Sequence, residues 1–231
     1  VYGGSMRYVR SWVKFSVLLA VSLFLVSCQK ALDLESGLPL ASQYNVSITK
    51  DFPGVVFVRT PSGYCTGTIV SPRAVLTAAH CTQRNGQYEV SGGFGPSVFT
   101  SQKVNYGPGE INDPRDISLL VFPAGTFQSK HVIKIADSIR SGDIATLVGY
   151  GCNNVFTEVG GGVKRSGTNQ VARLGDYVEF YTPASSSGMR GIIGPSNRAG
   201  SCPGDSGGPA LKEVNGELQV AAVTHAGGVM G

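Results

Sequence analysis

Beyond Phe52 the chain has no long periodic apolar face of the kind a helical bundle needs. VVFVRT, GTIVS, AVLTA, SLLVF, ATLVGY, YVEFYT and LQVAAVT are instead short β-branched or aromatic runs, separated by clusters of Gly, Pro, Asn and Ser. Such residues suit a pleated, half-buried surface, and runs of this kind at short spacing predict an all-β sandwich or barrel. The 32 glycines among 231 residues and a charged fraction of only 15% point the same way. The stretch 123–142, PAGTFQSKHVIKIADSIRSG, reads as a crossing between two halves, with SKHVIKI as an alternative strand.

Residues 1–28 read as a targeting segment. Met6, Arg7, Arg10 and Lys14 form a charged start, and FSVLLAVSLFLV follows as an apolar stretch. A helix over that stretch reaches roughly 18 Å, short of a hydrocarbon core of roughly 30 Å, so a signal peptide is expected and not a span. The run ends in Leu25-Val26-Ser27-Cys28, which resembles a bacterial lipobox, and Cys28 is the expected lipidation site. Ordinary signal cleavage nearby is the alternative. Residues 1–5, VYGGS, precede Met6 and are left out of the fold. Residues 29–50 are polar, broken by Ser-Gly and Leu-Pro, and read as a tether or pro-segment. The formal charge of +4 does not predict nucleic-acid binding. Three basic residues lie in the targeting segment, which leaves 16 basic against 15 acidic residues in the rest.

Three short motifs carry the chemistry. CPGDSGGP places Ser206 between Asp205 and two glycines, TAAHC places His80 beside Cys81, and RDISLLVF places Asp116 at the head of an apolar run. Taken singly, each has a plain structural reading as a turn serine, a packed histidine or a strand cap. Together, and in this chain order, they resemble the trypsin-like (chymotrypsin-fold) serine proteases, over about Phe52 to Thr224. The resemblance implies two Greek-key six-stranded β-barrels with the active site between them. The first barrel is expected over about 51–125 and the second, incomplete, over about 140–231.

It also implies roles. Ser206 is the expected nucleophile, His80 its general base and then acid, and Asp116 the group that orients His80. The backbone N–H groups of Gly204 and Ser206 are the expected oxyanion hole. Cys65 and Cys81 match the bridge that braces the family's catalytic histidine. Cys152, in a loop that runs near the oxyanion hole in this fold, is expected to pair with Cys202, with free thiols as the alternative. A fifth cysteine left over fits lipidation of Cys28. No CxxC pair or histidine cluster supports a metal site, and the chemistry calls for no metal and no cofactor.

Two departures from the family pattern stand out. The family folds a new N-terminus inward onto the acid before the nucleophile, here Asp205, but LPLASQYNVSITK holds no such motif. VYGG at the start looks similar but precedes the targeting segment. The sequence also stops at Gly231, where the family continues through a strand and a helix, so a truncated reading is expected. Gly200 and Ala226 at pocket-lining positions lean towards small or apolar residues on the substrate. His225 stands where the family commonly has an aromatic and reads as a strand side chain facing a neighbour, and His131 reads as a surface residue.

The expected protein is thus an exported, monomeric serine endopeptidase acting on polypeptides. Its membrane contact runs only through a lipid on Cys28, at the bacterial outer membrane or cell surface; otherwise it is periplasmic or secreted. The alternative is a catalytically silent binding protein of the same fold, or an inactive fragment.

Overall fold

The computed structural model describes residues 46–110, 113–154, 157–183, 193–194 and 198–225. The expectations for the targeting segment, Cys28 and Ala226 lie outside the described residues. The described chain runs through β1 (Ser47–Ile48), β2 (Val55–Thr60), β3 (Gly63–Ser71), β4 (Ala74–Thr77), β5 (Tyr88–Gly92), β6 (Gly95–Thr100), β7 (Gln102–Asn105) and β8 (Ser118–Val121). It continues through β9 (Ile144–Gly149), β10 (Arg165–Leu174), β11 (Val178–Phe180), β12 (Thr182–Pro183), β13 (Ile193–Gly194), β14 (Pro209–Val214) and β15 (Glu217–Val223). Short 3-10 turns sit at His80–Thr82 and Ser129–His131.

Seven strands form one sheet in the order β6-β5-β2-β3-β4-β8-β7. Its two edge strands, β6 and β7, are consecutive in the chain and separated only by Ser101. A flat sheet cannot bring its opposite edges within one residue of each other, so this one curls into a barrel. Counted as one bent strand, β6 and β7 make the six strands expected. The second sheet runs β1-β10-β9-β14-β15, with β11 on β10, and is the second curled layer. Its first strand, Ser47–Ile48, comes from the end of the stretch read as a tether and pairs with Ser166 and Arg165.

Strand alternation explains how the halves join. On β2, Val56 and Val58 point into the first barrel with Ile69, Tyr88, Val90, Leu120 and Phe127. Val55, one residue before Val56 and so on the opposite face of the strand, packs with Leu76, Val148, Leu211 and Val220. The second cluster therefore draws on both sheets. All of these side chains are under a tenth exposed, and burying one of this size contributes about 1.5–3 kcal/mol.

The crossing segment also stitches the sheets together. Phe127 N–H donates to Pro72 O (3.0 Å) and Ile133 N–H to Ile69 O (2.9 Å), both in the first half. Ala136 N–H then donates to Val220 O, and Val220 N–H to Lys134 O (both 2.8 Å), in the second. SKHVIKI thus holds a 3-10 turn and one isolated bridge, Ile135 to Val220, in place of a strand. His131 is buried at 8% exposure, not on the surface. The hydrogen bonds on both sides of it hold the segment against β3, and its ring goes inward with it.

Candidate active site

His80 follows directly from strand β4. The strand ends at Thr77, and Ala78 and Ala79 are wholly buried, small enough for the backbone to turn tightly there. The 3-10 turn His80–Thr82 then starts, closed by Thr82 N–H on Ala79 O at 2.9 Å. A disulfide from Cys81 to Cys65 ties this turn to β3. A loop of that length in the unfolded chain makes the bridge worth about 3 kcal/mol.

Asp116 arrives from the turn before β8. Its carboxylate is only 1% exposed, against 19% for the His80 side chain. One oxygen, Oδ1, accepts the His80 backbone N–H at 2.7 Å, and Oδ2 accepts the His80 ring Nδ1 at 2.6 Å. An ionised carboxylate can only accept, so Nδ1 must carry the proton, and the Nε2 lone pair is left for a substrate-side proton. Burial alone would push the Asp116 carboxyl up. Hydrogen bonds from the His80 ring, the His225 ring and the His80 backbone outweigh that and hold it below the usual range.

Ser206 sits in a turn whose backbone is strapped on both sides. Its carbonyl accepts Thr66 N–H from β3 at 2.8 Å and lies 3.8 Å from Cys81 Sγ. Thr66 Oγ1 donates to Gly204 O at 2.9 Å, and Gly207 N–H donates to Thr224 O at 2.7 Å. The glycines are required here. Gly204 has φ +97°, and a Cβ there would lie 2.3 Å from the Tyr64 ring. Gly207 has φ +83°, and a Cβ would lie 2.1 Å from Thr77 Oγ1 and 2.3 Å from Thr66 O. Only a residue without Cβ allows the turn to press this closely on β3 and β4. A second disulfide, Cys152 to Cys202, closes the approach to this turn.

Asp205 turns away from the surface. Its carboxylate lies under Gly149 and Gly151, where an added Cβ would come within 2.0 and 2.5 Å of it. It accepts the N–H groups of Gly151 (2.7 Å) and Cys202 (2.9 Å). A small cavity beside it is lined by Val46, Leu147, Arg165, Gly200 and Thr224 among others. Burial pushes this carboxyl up to about 6, against the two N–H groups and the Arg165 guanidinium, which pull it down.

A value raised above the unfolded 3.8 means that the folded chain holds this proton more tightly. The group's contribution to stability is then full below about pH 4 and lost as pH rises through about 6, by about 2–3 kcal/mol in all. Thermal unfolding across pH 4 to 7 should show wild type losing stability relative to Asp205→Asn. Parallel curves would contradict this.

One site residue was missed in the sequence. His225, two residues beyond β15, directs Nδ1 at Asp116 Oδ2 from 2.9 Å. Its ring stacks on Tyr177, with centroids 5.1 Å apart and planes 20° from parallel. The neighbour it faces is thus the acid beside His80. The available signal was a histidine on the stretch after Ser206, in a position commonly aromatic, but its partner lies 109 residues away in the chain.

Comparison with known proteins gives the family. The Trypsin family model matches residues 44–231. A trypsin from Squalus acanthias is 24% identical over 178 residues, which cover 72% of this chain and 76% of the relative. With an all-β chain curled into two sheets and a family match over most of its length, this chain belongs to the trypsin family.

Proposed function

We propose that this chain is a serine endopeptidase that cleaves polypeptides through an acyl-enzyme on Ser206. The observation that carries this reading is the Asp116–His80 pair. Two hydrogen bonds of 2.7 and 2.6 Å fix the backbone and the ring of His80 at once, and the turn holding Ser206 lies against the neighbouring Cys81.

Ser206 Oγ attacks the scissile carbonyl carbon as its proton passes to His80 Nε2. The carbonyl π pair moves to oxygen, and the N–H groups of Gly204 and Ser206 receive that oxyanion. The C–N bond then breaks, and the leaving amine takes the proton from His80. Water repeats the sequence on the acyl-enzyme, and Oγ recovers its proton from His80. Asp116 stays ionised throughout and stabilises the imidazolium.

The enclosed Asp205 carboxylate supports its reading as the acceptor for the ammonium of a newly cut N-terminus. Gly200 beside it, and Ala226 by position, favour small or apolar substrate side chains. The two disulfides suit an oxidising compartment outside the cytosol. The export signal and lipidation at Cys28 belong to the same proposal, as does a monomeric enzyme.

The test is intact-mass analysis after a fluorophosphonate probe. A single adduct on wild type and none on Ser206→Ala is the expected result. A folded wild-type chain that takes no adduct would refute the activity.

A further inference from the structure

We infer that His225 is a positioning residue for the reaction: it donates a second imidazole hydrogen bond to Asp116 and fixes the carboxylate against which His80 is aligned. This rests on the proposed roles of Ser206, His80 and Asp116.

The geometry carries the inference. Asp116 Oδ2 receives two ring nitrogens, His80 Nδ1 at 2.6 Å and His225 Nδ1 at 2.9 Å, while Oδ1 receives the His80 backbone N–H at 2.7 Å. The carboxylate is 1% exposed, so water does not supply these bonds, and each donor counts. Donors arrive from two separate parts of the chain. His80 comes from the end of β4 in the first barrel, and His225 from the end of β15 in the second. His80 bonds both oxygens from the first barrel, and His225 adds a donor from the second, so the carboxylate is held from both sides. Tyr177, stacked on His225, limits the motion of that ring in turn.

The contact has a chemical consequence. Each donor to Oδ2 takes up part of the carboxylate's charge, so His225 tempers the pull of Asp116 on the His80 proton. The ionisable groups facing His225 are Asp116 and, through it, His80. Among the described residues, Asp113, whose carboxyl is held down mainly by Arg115 and less by His225, and the Tyr177 phenol lie near it as well.

The chosen variants are His225→Ala, which removes the donor, and His225→Asn, which returns an N–H at the same number of bonds from Cα as Nδ1. Loss of a hydrogen bond to a charged group predicts about a 10- to 100-fold fall in kcat for His225→Ala, with a smaller change in KM. His225→Asn recovers most of it. The acid limb of the pH profile moves to higher pH in His225→Ala, by about half a unit or more, because Asp116 then acts on His80 alone. It moves less in His225→Asn.

A merely structural side chain would leave the profile where it was. Unchanged kcat and an unchanged profile in a folded His225→Ala that still takes the fluorophosphonate would overturn the inference. Wild type that fails to take the probe would instead refute the triad. A separate readout uses the low-field imidazole N–H signals of histidine-labelled protein. Two signals in wild type and one in His225→Asn are expected, and a single signal in wild type overturns the shared contact.

Discussion

On the proposed mechanism, Ser206→Ala is expected to lower kcat on a peptide substrate by about six orders of magnitude, with KM little changed. The reason is that the members of such a site act as a unit. Without the hydroxyl, His80 has no proton to take and no bond to the carbonyl carbon can form. What remains is the stabilisation that backbone donors give an oxyanion when water attacks unaided, about 10³–10⁴ over the uncatalysed rate. Fold is not at stake in this variant. The Ser206 contacts in the structure run through its backbone, to Thr66 N–H and towards Cys81 Sγ, and Ala keeps them. Steady-state kinetics with thermal unfolding alongside make the check. A loss of less than about 100-fold in an intact fold would mean that another group is the nucleophile.

Asp116→Asn is expected to give the second large effect, a fall of about 10⁴ in kcat. The change replaces an acceptor-only group by one that also donates. With its oxygen on the His80 backbone N–H, the Asn amide turns its NH₂ towards His80 Nδ1 and His225 Nδ1. His80 must then accept at Nδ1 and carry its proton on Nε2, the nitrogen that should receive the Ser206 proton. The geometry survives and the tautomer is wrong. The variant also loses a pH-dependent stabilisation. Asp116 lies below its usual value when folded, so its contribution is present above the unfolded value of 3.8 and lost as pH falls below it. Kinetics near neutral pH and acid unfolding of both proteins make the check. Retention of more than a tenth of the activity would remove Asp116 from the orienting role.

Much of this was legible in local sequence. The β-branched runs between Gly and Pro clusters specify strands because their side chains suit a pleat and little else. Val55 and Val56 belong to opposite clusters because neighbouring strand residues face opposite ways. GDSGGP names its own turn, since Gly204 and Gly207 at positive φ are both demanded by what lies beside them. His131 was misread because its fate is decided by the hydrogen bonds that draw the crossing segment onto β3, and a lone histidine between polar residues says nothing of them.

Strands, turns and the names of the three candidate side chains were therefore set by neighbours a few residues apart. The partners of Asp116 were not. His80 is 36 residues from it and His225 is 109. Which imidazole reaches a given carboxylate depends on how two barrels meet, and the packing of Val55 and Leu76 on Val148, Leu211 and Val220 decides that. Local preference acts over a turn or a strand. Only the closing of one sheet upon another brings the end of β15 to the carboxylate ahead of β8, and only there does His225 join the site.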